Sequence, residues 1–168
     1  AEKPIGVYGN LDDEIESMMD RFGQLVGRKY KPIQYIGTQD DDYAVVMLGS
    51  GNDTVEEYIK THPGCKIGLL KVHLYRPFKA SRILSALPAS VKRVCVMDKV
   101  RDITGVREPL YLDVCAALQN QRNVEIIGGR YGIGSKDFAP QHVDAVMKNL
   151  VAPICKDGFT VGIPNPET

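Results

Sequence analysis

Tyr43-Ala44-Val45-Val46-Met47-Leu48 is the stretch of this sequence that decides the fold. Its residues are apolar in consecutive positions, whereas a strand with one face in water alternates apolar and polar residues. A strand that is apolar on both faces is typical of a sheet that lies between two layers of helices. The stretch therefore predicts a buried strand in the middle of an α/β domain.

The same pattern recurs along the chain. Short apolar runs follow at 66–72, 93–97 and 124–127. Helix-like segments separate or follow these runs, at 53–60, 79–87, 110–121 and 140–150. Strands and helices that alternate at this interval predict a mostly parallel sheet covered on both faces.

The remaining segments lie toward the two ends of the chain. Residues 12–27 predict a helix that Asp12 or Asp13 caps and Gly27 ends. Its apolar residues recur every three to four positions, at Ile15, Met18, Met19, Phe22, Leu25 and Val26. A short extended piece follows at 32–36, and 159–163 is interpreted as a last strand or an edge segment.

One domain fits the length of 168 residues, 43% of which are hydrophobic. We expect residues 1–30 to form an N-terminal segment whose helix packs on the domain. Residues 31–163 should form the α/β domain itself, and 164–168 an exit tail. Because the sequence also lacks an initiator Met, we expect a fragment of a longer polypeptide.

Charge and cysteine content restrict the partners and the compartment. Lys+Arg and Asp+Glu both number 21, so nothing electrostatic favours nucleic acid or an anionic membrane as a partner. No apolar run approaches the roughly 18–20 residues of a membrane span. The four cysteines form no CxxC pair, which predicts core thiols, no metal site in this chain and, without a secretion signal, a cytoplasmic location.

A glycine-rich stretch, GGRYGIGSKDFAP at 128–140, stands between the last apolar run and the final helix. Four of its first seven residues are glycines, which permit positive φ angles and the close approach of another surface. Arg130 and Lys136 add two cations to this bare backbone. Such a loop either contacts an anionic ligand or packs against a neighbouring domain, and the sequence leaves both open.

A second glycine-containing turn follows the strand at 43–48. Gly49, Ser50, Gly51 and Asn52 open the next helix, and a helix start at the carboxyl end of a strand attracts anions. The turn matches neither a full GxGxxG nor a Walker motif. The competing interpretation is an ordinary strand-to-helix turn that Asn52 or Asp53 caps.

Two other loops carry charge at strand ends. Pro77 holds Arg76 outside the helical region, which aims its guanidinium at a carboxylate, a phosphate or a neighbouring domain. The loop 98–109 carries charges of both signs, including Glu108, and favours a solvated or interface surface. The histidines and cysteines assemble no nucleophile, base or metal set, so the residues alone reveal no complete active site.

Four blocks of the sequence resemble a known family. They read LKVHLYRPF at 70–78, ALPAS at 86–90, EPLYLDV at 108–114 and GRYGIGSKDF at 129–138. These blocks are similar to the second domain of pyruvate:ferredoxin (flavodoxin) oxidoreductases, a domain of the transketolase C-terminal type. The resemblance covers roughly residues 12–163 in order. Two departures are His73, where the family has Arg, and the lack of a Pro-Gly turn in 98–104.

The resemblance implies a fold and a reaction. The fold is an α/β/α sandwich with five strands, of which the first, at 32–36, runs antiparallel to the others. The whole enzyme converts pyruvate and coenzyme A into acetyl-CoA and CO2, with thiamine diphosphate, Mg2+ and iron–sulfur clusters, and passes electrons to ferredoxin or flavodoxin. Those cofactors belong to other parts of a homodimeric enzyme, and this chain binds none of them alone.

On that resemblance, this chain is a non-catalytic domain that packs against other domains of the enzyme. Its candidates for lining a substrate or coenzyme A cleft are Arg76, Glu108, Arg130 and Lys136. One alternative is a module that binds coenzyme A or another anion through Gly49–Asn52. Another is the related domain in the flavoprotein subunit of an NADPH-dependent sulfite reductase.

Overall fold

The computed structural model describes residues 10–163. They contain five α-helices, six strands and a short 3₁₀ helix at Ile133–Ser135. The first helix precedes two successive strands, and strands and helices alternate after them. The helices are α1 (Leu11–Val26), α2 (Gly51–Thr61), α3 (Ala80–Ala86), α4 (Pro109–Leu118) and α5 (Pro140–Val151). The strands are β1 (Ile33–Ile36), β2 (Tyr43–Leu48), β3 (Ile67–Val72), β4 (Arg93–Asp98), β5 (Glu125–Arg130) and β6 (Phe159–Thr160). The exit tail expected at 164–168 lies outside the described residues.

The strands form one sheet in the order β1-β3-β2-β4-β5-β6. Strand β1 pairs antiparallel with β3, and every other pair is parallel. Val46 of β2 lies between Leu70 and Val96 of its two neighbours, so β2 is the buried strand that its sequence predicts. The α/β fold class and the antiparallel first strand are confirmed. The sheet gains a two-residue sixth strand, β6, from the segment expected to be an edge.

Helices cover both faces of the sheet and create two apolar cores. Helices α3 and α4 pack on one face, where Val46 and Leu110 are buried together. Helices α2 and α5 pack on the other face, where Met47 and Val143 are buried. Each fully buried aliphatic side chain of this kind contributes roughly 1.5–3 kcal/mol to the stability of the fold.

The start of α1 differs from the prediction. Asn10 occupies the N-cap position, and neither Asp12 nor Asp13 caps the helix. Asp12 is instead buried, and its carboxylate binds Lys79 and Arg82. Gly27 ends the helix as predicted, with a left-handed φ of 69°.

Strand β5 extends three residues beyond its prediction, so Gly128, Gly129 and Arg130 belong to the sheet and not to a loop. A Cβ on Gly128 would lie 2.5 Å from Nη2 of Arg107, and one on Gly129 would lie 2.6 Å from a ring carbon of Phe159. These two glycines therefore serve close packing in a strand. Positive φ angles occur only later in the stretch.

Candidate functional site

A cleft of about 450 Å³ opens at the carboxyl edge of the sheet, where β2, β4 and β5 end. Its lining comes from the turn that begins α2, the residue after β4 and the segment after β5. The lining residues are Ser50, Gly51, Thr54, Lys99, Tyr131, Gly132, Ser135, Lys136, Asp137 and Phe138. Three separate chain segments thus build one depression.

Tyr131 forms the floor of the cleft and joins the strand ends. Its side-chain hydroxyl donates a hydrogen bond to the carbonyl oxygen of Leu48 at 2.9 Å, and its backbone N–H donates to that of Asp98 at 3.1 Å. Burial, and then the negative charge of Asp98, raise the pKa of Tyr131 to about 12. The hydroxyl therefore stays protonated at neutral pH and holds the ends of β2 and β5 together.

Two glycines give the cleft its shape. A Cβ on Gly51 would lie 2.8 Å from the Tyr131 ring, so only glycine lets that ring pack against the start of α2. Gly132 has a left-handed φ of 62°, and a Cβ there would lie 3.1 Å from Cε of Lys99. The lysine stem consequently lies across Gly132, and Lys99 lines the cleft.

The charge of the cleft comes mainly from two lysines. Lys99 and Lys136 are both exposed, and within residues 10–163 neither has a carboxylate partner within 4 Å. Asp137 adds one negative charge to the lining. The N–H groups of Asn52 and Asp53 already bond inside the turn, to the carbonyls of Gly49 and Ser50. The lysines therefore dominate the attraction for an anion, and the start of α2 adds less.

The cleft lies where the connections of the sheet diverge. Strand β2 leads into α2 on one face, and β4 leads into α4 on the opposite face. Between two such strand ends the connecting chains move apart and leave a crevice, which is where open α/β sheets bind ligands. The topology and the two exposed lysines therefore indicate the same location for a ligand.

The predicted turn residues divide between this cleft and a neighbouring one. Ser50 contributes to both, whereas Gly49 and Asn52 line the neighbouring depression of about 320 Å³. Asn52 is buried and donates to the carbonyl of Gly49 at 2.9 Å from its side chain. Ser50 occupies the N-cap position, so the prediction that Asn52 or Asp53 caps the helix is wrong.

Glu108 and Arg130, two of the predicted cleft residues, bind each other. Nη1 of Arg130 donates to Oε1 of Glu108 at 2.6 Å, with side-chain exposures of 17% and 5%. Burial alone would raise the pKa of Glu108, but the hydrogen bond and positive charge of Arg130 outweigh it, and the pKa lies below its usual range. Arg130 also donates to Thr160 and to the carbonyl of Gly158. This geometry favours a structural role for the pair.

Arg76 lies apart from both clefts. Its guanidinium donates to Asp113 at 2.7 Å and lies 3.8 Å from the centre of the Tyr75 ring. The hydroxyl of Tyr75 donates to the same carboxylate oxygen at 2.7 Å. The target that the sequence leaves open is thus a carboxylate of α4. Of the four predicted cleft cations and acids, only Lys136 lines the cleft at the sheet edge.

The charged loop between β4 and α4 supplies the residue that the sequence-based candidates omit. Lys99 directly follows β4, and its position after a strand at the divergence of the sheet is the signal that would have identified it. Asp98, the last residue of β4, accepts hydrogen bonds from the N–H groups of Leu110 and Tyr111. Burial nevertheless raises the pKa of Asp98. Its carboxylate therefore fixes the start of α4 and is not available to a ligand.

The described residues do not fit the Mg2+ or the iron–sulfur clusters that the sequence resemblance implies for the whole enzyme. Across 10–163, no three His, Cys, Asp or Glu side chains cluster as metal ligands, and the four cysteines are separate free thiols. The two exposed lysines fit the phosphates of coenzyme A better, because they offer cations to an anion. No helix in the described part of the chain is long and apolar enough to cross a membrane.

The fold of this chain is similar to that of a domain in a solved 2-oxoacid oxidoreductase. The solved 2-oxoglutarate:ferredoxin oxidoreductase from Magnetococcus marinus, with 2-oxoglutarate, coenzyme A and succinyl-CoA bound, matches 75% of this chain and 20% of its own, with a TM-score of 0.50 and 17% identity. At that identity the likeness concerns the fold alone. The pyruvate:ferredoxin oxidoreductase core domain II model matches residues 41–143, and this chain belongs to that family.

Longer relatives share this domain at about 40% identity. A putative pyruvate-flavodoxin oxidoreductase from Synechocystis is 42% identical over 93% of this chain, and the pyruvate:ferredoxin oxidoreductase from Moorella thermoacetica is 41% identical over 92%. The mitochondrial pyruvate dehydrogenase [NADP(+)] of Euglena gracilis is 40% identical over 96%. The chain spans 13% of the first two relatives and 9% of the third.

Proposed function

We propose that this chain is a non-catalytic domain of a polypeptide that oxidises pyruvate. In the proposed reaction, pyruvate and coenzyme A give acetyl-CoA, CO2, a proton and two electrons, which leave singly to ferredoxin or flavodoxin. Thiamine diphosphate, when bound elsewhere in the polypeptide, supplies the carbanion stabilisation. The family membership supports this proposal, together with the relatives' names and the small fraction of their length that the chain spans.

Within that polypeptide, we assign the cleft at the ends of β2 and β4 to an anion, with a phosphate of coenzyme A as the candidate. The observation that carries this assignment is the pair of exposed lysines, Lys99 and Lys136, on a rigid floor made by Tyr131. Cations without a protein partner retain their charge for a ligand. The assignment keeps Lys136 from the sequence-based set and adds Lys99.

Charge removal at the two lysines tests the assignment in the full polypeptide. Lys99→Gln and Lys136→Gln should each raise KM for coenzyme A by roughly 3- to 10-fold, because an exposed charge-assisted contact to an anion contributes about 1 kcal/mol. The kcat should change little. Steady-state kinetics with varied coenzyme A at fixed pyruvate measures both constants.

Lys156→Gln is the matched control, since this lysine is also exposed but precedes β6 and does not line the cleft. Calorimetric titration of the chain with coenzyme A provides a second readout, in which a micromolar constant supports binding. An unchanged KM in both cleft variants, together with no heat of binding, would leave the domain with inter-domain packing as its function.

The proposal places the protein in the reducing cytoplasm, where a buried thiol such as Cys95 stays free.

The isolated chain should release no CO2 from pyruvate when thiamine diphosphate, Mg2+ and coenzyme A are supplied. The physical reason is that its buried acids and bases, such as Asp98 and Glu108, are already occupied in structural hydrogen bonds. Turnover by the pure 168-residue chain would contradict the assignment of catalysis to other domains.

A further inference from the structure

Helix α1 exposes the apolar face that its sequence pattern assigns to a core. An amphipathic helix of a soluble domain normally turns its apolar stripe toward the body of the protein. In α1 the side chains of Met18, Phe22, Leu25 and Val26 are 63%, 53%, 85% and 45% exposed. We call these four residues the outer face of α1.

Polar contacts, and not this outer face, hold α1 on the domain. The buried residues of the helix are Asp12 and Gly23. Asp12 binds Lys79 and Arg82 of the α3 region, and Arg82 also binds Glu16 at 2.8 Å. These contacts anchor the first half of the helix, and four of its apolar residues lie in water. Such a contiguous exposed patch is typical of an interaction surface.

The charge around the outer face restricts what covers it. The water-exposed polar side of α1 carries Asp13 and Asp20, whereas helices that lie on anionic membranes carry Lys and Arg there. Arg21 lines the groove formed by Met18, Phe22 and Leu25. A two-fold contact centred on this groove would bring two Arg21 guanidinium groups together, which is unfavourable. The surface therefore fits neither a membrane nor a second copy well.

The length of the relatives indicates what covers the outer face of α1. Four of them are about seven or more times as long as this chain, which spans 9–14% of their length. We propose that the outer face of α1 is an inter-domain contact, covered by another domain of the same polypeptide. That domain presents an apolar surface with a carboxylate opposite Arg21. The inference rests on the proposed function insofar as the chain is one domain of a longer protein.

Site-specific photo-crosslinking in the full polypeptide tests this contact. The photoreactive amino acid p-benzoylphenylalanine replaces Leu25 in one variant and Gln24 in the other. Both positions are exposed on the same helix, but Gln24 lies outside the outer face. After irradiation and proteolysis, mass spectrometry should find the photoreactive residue at position 25 joined to a peptide of the same polypeptide outside residues 1–168. Position 24 should give little or no such product.

Mixed samples of ¹⁴N- and ¹⁵N-labelled protein separate the alternatives. Crosslinks from position 25 that carry both labels would mean a second copy, and a product containing lipid or a different protein would mean another occupant. Each of these results, or equal yields at positions 24 and 25, overturns the proposal. Because the readout requires no turnover, an inactive enzyme with the expected crosslink would contradict the proposed function and leave the contact intact.

Discussion

At the scale of single residues, the pair of Glu108 and Arg130 shows why a charged side chain at a strand end is not by itself a ligand site. The sequence places both residues at the carboxyl edge of the sheet, where ligands bind. The structure buries them against each other at 2.6 Å. A buried charge is tolerated only with a partner, so each of them depends on the other.

Arg130→Met should destabilise the chain by about 3 kcal/mol, because the buried Glu108 carboxylate then keeps only its longer contact to Arg107, at 3.7 Å. This expectation differs from that of a ligand-binding arginine, whose loss would lower activity and spare the fold. Urea unfolding followed by circular dichroism measures the change in the free energy of unfolding.

The double variant Glu108→Gln with Arg130→Met is the control for that measurement. Removing both charges should recover a large part of the lost stability, since no uncompensated charge remains. A double variant as unstable as Arg130→Met alone would show that the arginine acts through Thr160 and Gly158 instead of through Glu108.

At the scale of elements, the antiparallel strand β1 pairs with β3, and one tyrosine reinforces this attachment. The Tyr35 hydroxyl donates to Asp41 at 2.8 Å, and this carboxylate also accepts from the backbone N–H of Thr38 at 2.8 Å. The ring of Tyr35 passes directly over Gly68 of β3, where a Cβ would overlap its ring carbon and oxygen. Burial, and then the hydrogen bond to Asp41, raise the pKa of Tyr35.

Gly68→Ala should therefore cost about 1–3 kcal/mol through overpacking, because the new methyl group displaces the Tyr35 ring from Asp41. Hydrogen exchange measured by mass spectrometry should be faster in β1 of the variant than in β1 of the original chain, and should change little in β2. In a chain that already carries Tyr35→Leu, there is no ring for the new methyl group to overlap. Gly68→Ala should therefore lower the free energy of unfolding much less in that variant than in the original chain. Fully additive effects would mean that the ring and the methyl group do not compete for the same space.

At the scale of the whole molecule, the layered fold follows from the sequence because strands such as β2 and β4 carry apolar residues on both faces. Strand β5 was predicted too short, because Gly128 and Gly129 resemble loop residues until Arg107 and Phe159 pack against them. Local pattern cannot show such long-range packing.

The candidate site was predicted only in part for the same reason. Ser50, Gly51 and Lys136 were identified from the glycine-rich turns, and the structure brings these three into one cleft. Lys99 was missed because its loop reads as a solvated charged segment. The sequence gives no local signal for which charged residues pair with one another. Arg76 and Asp113, for example, are 37 positions apart.

Asp157 joins three distant parts of the molecule, and it should make the stability of the whole domain sensitive to acid. Its carboxylate accepts two hydrogen bonds from Arg107, each at 2.8 Å, and one from the N–H of Gly128. The hydrogen bond from Arg107 lowers the pKa of Asp157 to about 2. Its usual pKa in an unfolded chain is about 3.9, so folding favours the charged form. The resulting stabilisation is complete above the unfolded value.

That stabilisation should disappear as the pH falls from about 4 through about 2, since protonation removes the preference for the folded state. Asp157→Asn should lower the free energy of unfolding by about 1 kcal/mol at pH 7, a value that allows for solvent screening of this half-exposed group. It should also flatten the dependence on pH between 4 and 2. Asp137→Asn, at an exposed carboxylate without an ion pair among the described residues, is the control. Urea unfolding at several pH values measures both effects, and equal slopes for Asp157→Asn and the original chain would exclude the Arg107–Asp157 pair as a source of acid sensitivity.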